Sequence, residues 1–78
     1  VSVYPIPAKD ILNVNFDGVK NVNSVAVYNV VGQKLKSYNV YAGSKTVAIP
    51  VADMKKGVYF LRVYSSNKEA ITKTFTKE

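Results

Sequence analysis

Apolar and polar residues alternate with a period of two along most of the chain. In "ILNVNF", Leu12, Val14 and Phe16 fall on one side and Ile11, Asn13 and Asn15 on the other, the pattern of a half-buried strand with Leu12, Val14 and Phe16 inward. Upstream, "VYPIPAKD" carries Pro5 and Pro7 around Ile6. Proline cannot donate to a ladder, so only a short edge strand near Val3–Tyr4 can precede them. Phe16 to Asn23 reads as a connection around Gly18. In "SVAVYNV", Val25 and Val27 share one face and Ala26 and Tyr28 the other, which predicts a central strand covered on both sides.

Gly32 marks a hairpin turn or bulge. "KLKSYNV" follows as a strand with mixed faces: Leu35 lies on one, Tyr38 and Val40 on the other. A bulge or an edge position explains that change of phase. Gly43 turns the chain into "TVAIP", with Val47 and Ile49 inward and a stop at Pro50. "VADMKKG" reads as a loop or a single helical turn, with Asp53 as a local cap and Gly57 as a left-handed exit. "VYFLRVY" is the strongest strand, with Tyr59, Leu61 and Val63 in phase and Phe60, Arg62 and Tyr64 opposite. After "SSNK" turns, "EAITKTF" places Ala70 and Thr72 on one face and Ile71, Lys73 and Phe75 on the other.

The sum is about seven short strands at intervals of roughly 8–12 residues, with Gly, Asn or Pro between them. No helical period outlasts a turn. The expected fold is all-β, an immunoglobulin-like antiparallel β-sandwich, with a small barrel as the alternative.

Composition sharpens this picture. Seventy-eight residues make one domain, spanning 1–78, and 47% are hydrophobic, enough for a core. A domain of this size buries only about 60–65% of the surface its unfolded chain exposes, so its stability margin is narrow. There is no cysteine and no histidine, so no disulfide, no zinc site and none of the usual catalytic bases or nucleophiles. Asp10 and Asp17 with Asn13 or Asn15 offer too few oxygens for calcium and read as turn residues. The expectation is a protein without catalytic, metal or cofactor residues. No apolar run approaches the ~20 residues of a membrane span. A start at Val1 rather than Met is expected of a piece cut from a longer precursor. The net charge is +6. Its lysines are dispersed, with no run longer than Lys55-Lys56, which reads as a solvated surface rather than a nucleic-acid stripe.

Three stretches in order are specific. "VYPIPAKDILNV" (Val3–Val14), "VAVYNVVGQKL" (Val25–Leu35) and "MKKGVYFLRV" (Met54–Val63), with the closing "ITKTFTKE", resemble the type A C-terminal sorting domain of the type IX (Por) secretion system of Bacteroidetes-type bacteria. The resemblance runs from Val3 to Glu78. Pro5, Pro7, Gly32, Gly57, Tyr59, Leu61 and Val63 stand where the family's pattern has them. The chain departs from that pattern at Ile6, where Asn is usual, and at Asn29 and Gln33, where Asp and Arg are usual.

The resemblance implies a non-catalytic signal that carries its N-terminal cargo domain through an outer-membrane translocon. It implies removal by a sortase-like cysteine peptidase, and attachment of the cargo to anionic lipopolysaccharide or its release. The implied route is the periplasm in transit, then the cell surface or medium. Lys68, Ile71, Lys73, Phe75, Lys77 and Glu78 are the residues expected to be read by the translocon, in the last turn and terminal strand. Open strand edges also leave a homodimer open to the chain. The rival reading is a carbohydrate-binding or adhesive module on a secreted enzyme, with exposed tyrosines such as Tyr38 and Tyr41 stacking on sugars, although tyrosines more often form cross-strand packing pairs. A third is a sandwich that simply packs on its parent domain.

Overall fold

The computed structural model describes residues 1–16, 18, 19, 21–41, 43–66 and 70–78. Among them are β1 (Ser2–Tyr4), β2 (Ile11–Asn15), β3 (Val22–Tyr28), β4 (Lys34–Asn39), β5 (Thr46–Pro50), β6 (Gly57–Ser65) and β7 (Ala70–Lys77). They form two antiparallel sheets in the orders β1-β2-β5 and β4-β3-β6-β7. The fold is thus all-β and a sandwich, not a closed barrel. In the constant-type immunoglobulin arrangement the fourth strand joins the first, second and fifth. Here the tight turn over 29–33 keeps β4 beside β3, and the chain changes sheets only afterwards.

Alternation decides which residues enter the core. Leu12, Val14 and Ile49 from one sheet face Val25, Val27, Leu61 and Val63 from the other, all essentially without solvent contact. Each such side chain stabilises the fold by about 1.5–3 kcal/mol through burial. Tyr59 and Phe75 extend the layer, stacked with ring centroids 5.7 Å apart. No buried polar side chain interrupts it among the described residues.

Several expectations need correcting in detail. β3 begins at Val22, inside the stretch read as a connection, because Val22 pairs with Ser65 and is buried. The mixed faces of β4 have both anticipated causes: the strand is an edge, and the register shifts between Val27 and Tyr28 of its partner. Gly57 is no left-handed exit; it opens β6 with φ +153°, a conformation open to glycine. Asp53 does not cap a helix. It accepts from Lys36 Nζ at 2.8 Å, and the same ammonium donates to the Pro50 carbonyl at 2.7 Å. Lys36 thereby ties the edge strand β4 to the end of β5 in the other sheet. The hydrogen bond from Lys36 holds the Asp53 carboxyl below its ordinary pKa.

Candidate functional site

The last strand lies at the margin of the four-stranded sheet. β7 pairs with β6 in continuous register from Gly57–Lys77 to Tyr64–Ala70. Among the described residues, its other side bonds to one residue, Ala8. Ala8 donates to the Thr76 carbonyl and accepts from the Glu78 N–H, both at 2.8 Å, as an isolated parallel bridge. These two bonds settle the orientation of the whole strand. Peptide groups alternate sides along a strand. Since Thr76 and Glu78 point outward, so do Thr74 and Thr72, whereas Phe75, Lys73 and Ile71 bond to β6. The outward N–H and C=O groups of Thr72 and Thr74 have no partner among the described residues.

Side-chain placement follows the same alternation. Phe75 is 1% exposed and belongs to the core, so its side chain is not on the surface where recognition was expected. Ile71 is half-buried opposite Val63. Lys73 lies on the core side of the sheet, opposite the fully buried Leu61, yet it is exposed. Among the described residues it has no hydrogen-bond or ion-pair partner. A charge aimed inward on an edge strand is a common guard against indiscriminate strand pairing. Lys77 is half-buried and donates to the Glu78 carbonyl at 2.8 Å. Lys68 lies outside the described residues, as does Asp17 of the calcium reading.

The outward face of the same sheet holds a second cluster. The hydroxyls of Tyr28 and Tyr64 meet at 2.6 Å. Cross-strand pairs run Tyr28–Phe60, Ala26–Arg62 and Ser24–Tyr64, so the two rings lean together above Ala26. That accounts for Ala26 being 2% exposed on the face away from the core. The Arg62 guanidinium lies 5.6 Å from the Tyr64 ring centroid, a cation–π distance. The hydrogen bond with Tyr28, helped by burial, raises the Tyr64 pKa. Tyr38 packs against the core, whereas Tyr41 stands 85% exposed beside a groove of about 590 Å³ that Asn21, Asn23 and Lys45 help line.

The family-pattern residues have structural positions. Tyr59, Leu61 and Val63 are core. Gly32, with φ +87°, closes the turn after Asn29, whose side-chain oxygen accepts from the N–H groups of Val31 and Gln33. Pro5 and Pro7, both after cis peptide bonds, lead the chain to Ala8 at the end of β7. Ala8, Thr72 and Thr74 escape a reading of the sequence. Alternation shows which face a side chain takes, but not which neighbour a peptide group bonds to.

Among the described residues no group of acids is gathered to hold a metal ion, and no helix is long and apolar enough to cross a membrane. No curated protein matches the chain. Residues 2–78 match the family described as the secretion system C-terminal sorting domain. With that match running essentially from end to end, the chain belongs to the family of C-terminal sorting domains of type IX secretion.

Proposed function

We propose that this domain is the part of an exported protein that the type IX outer-membrane translocon reads as a folded surface. The match over residues 2–78 carries the reading. A sorting signal of this family acts with the type IX system, implies export to the cell surface or beyond, and is not a catalytic type. A translocon that accepts unrelated cargos needs one constant surface, which a rigid sandwich supplies. On this reading the cargo crosses from the periplasm, a sortase-like cysteine peptidase removes the domain, and the cargo is joined to anionic lipopolysaccharide or released. Ile71, Lys73, Lys77 and Glu78, with Lys68, form the surface that is read. Phe75 supports it from within.

The test is a reporter fused ahead of residues 1–78 in a bacterium that has the system. Surface or extracellular reporter is expected, and periplasmic retention would rule the reading out. Deleting Lys73–Glu78 should leave the reporter in the periplasm. That deletion also removes Phe75 from the core, so export must be read beside a melting curve. The exposed Tyr41 beside its amide-lined groove favours a second reading, a carbohydrate-binding module. Binding to a glycan array, lost in Tyr41→Ala, would support it.

A further inference from the structure

We infer that the translocon side takes this domain by adding one acidic strand to the outer edge of β7, between Ala70 and Thr74, with Ala8 as the stop that sets its register. This rests on the sorting-signal reading and specifies its partner.

The edge is open over only part of its length. Ala8 occupies the outward carbonyl of Thr76 and the N–H of Glu78. Thr72 and Thr74 keep theirs free among the described residues, so an added strand finds two donors and two acceptors and then meets the Pro5–Ala8 segment. Main-chain bonds of this kind supply affinity, while alternate side chains supply specificity.

The side chains beside the window specify the partner. On the core side Lys73 is exposed, positive and without a partner among the described residues, next to the half-buried Ile71. A strand running beside it places an acidic side chain against Lys73 and an apolar one against Ile71. On the outward side Thr72 and Thr74 adjoin Arg62 and Phe60, their cross-strand partners, so a second acidic residue is favoured there as well.

A second copy of this chain is the wrong occupant. Antiparallel self-pairing inside the window keeps Lys73 opposite Lys73 of the copy, or within two positions of it. Like charges across a strand pair oppose association. The isolated domain is therefore monomeric at this edge.

Proline tests the edge without touching the fold. The Thr72 and Thr74 N–H groups point away from β6, so Thr72→Pro and Thr74→Pro remove no ladder bond, and proline is tolerated on an edge strand. Lys73→Glu changes an exposed side chain that has no partner among the described residues. Each variant is fused behind the reporter as the full chain, and export is measured beside thermal melting and sedimentation. Each loss should weaken recognition by about five- to tenfold. The expected result is three folded, monomeric variants with reporter held in the periplasm, while Lys73→Arg is exported normally. Unimpaired export of folded Thr72→Pro and Thr74→Pro would overturn strand addition. Export of Lys73→Glu at the wild-type level would overturn the acidic partner. A wild-type dimer that Thr72→Pro dissociates would make a second copy the occupant. Failure of the wild-type fusion itself would instead strike the sorting-signal reading and take this inference with it.

Discussion

Tyr59 makes two separable contacts. Its ring stacks on Phe75 at 5.7 Å, and its hydroxyl donates to the Lys55 carbonyl at 2.6 Å. Tyr59→Phe keeps the stack and loses the bond, so urea unfolding should show a loss of about 1 kcal/mol. Tyr59→Ala opens a cavity and should cost about 3–5 kcal/mol. Equal losses would mean that the ring adds nothing. Two titrating groups act in opposite senses. The folded pKa of Asp53 is lowered, so its contribution is present at neutral pH and is lost as pH falls below the ordinary value of 3.8. Asp53→Asn should be less stable than the parent at pH 7, and the two should converge as pH falls through the lowered folded pKa. The folded pKa of Tyr64 is raised, so its contribution is full below the ordinary value of 10.0 and is lost as pH rises through the folded one. Between 10.0 and that raised value the parent should lose stability more steeply with pH than Tyr64→Phe in alkaline denaturation curves. The inward set of Tyr59, Leu61 and Val63 was legible in the sequence, because a buried face of a strand admits few residue types. The Lys36–Asp53 pair was not, since it joins two sheets across a distance that no local pattern encodes.

At the level of elements, Asn29 and Gln33, where the resemblance leads one to expect Asp and Arg, share the turn between β3 and β4. Asn29 holds the Val31 and Gln33 N–H groups with one oxygen, and its amide donates to the Gln33 side chain at 2.9 Å. An Asp and an Arg at these two positions would keep the same turn and replace an amide pair by an ion pair. Asn29→Ala should cost about 1–2 kcal/mol, because two N–H groups lose their acceptor. The double change Asn29→Asp with Gln33→Arg should shift stability by no more than about 1 kcal/mol, as exposed ion pairs contribute little. Thermal melts of the two variants separate a turn-holding role from a charge role. The strands themselves were legible because their period is two and glycines or prolines punctuate them. Their ends were less so: Val22 lies among polar neighbours and joins β3 only because Ser65 of β6 is there to pair with it.

Across the whole molecule, the first and last segments hold one another. Ala8, fully buried, takes the Glu78 N–H and gives its own to Thr76. Amide exchange should record this asymmetry. The Ala8 and Glu78 amides should exchange slowly, and those of Thr72 and Thr74 quickly, although all four lie at the same edge. Uniform protection along β7 would mean that its outer side is covered throughout. What the sequence determined by itself was local. Alternation, prolines and glycines set the strands, the inward faces and the all-β class, and the family's spaced motifs set the kind of protein. What only the tertiary structure decided was adjacency. A strand pattern is silent about its neighbours, so the sequence could not say that β4 stays with β3, that Phe75 lies in the core, or that β7 is an edge. Backbone hydrogen bonds carry no side-chain signature. The open window at Thr72 and Thr74, and the closure beside it by Ala8, therefore appear only once the two sheets are assembled.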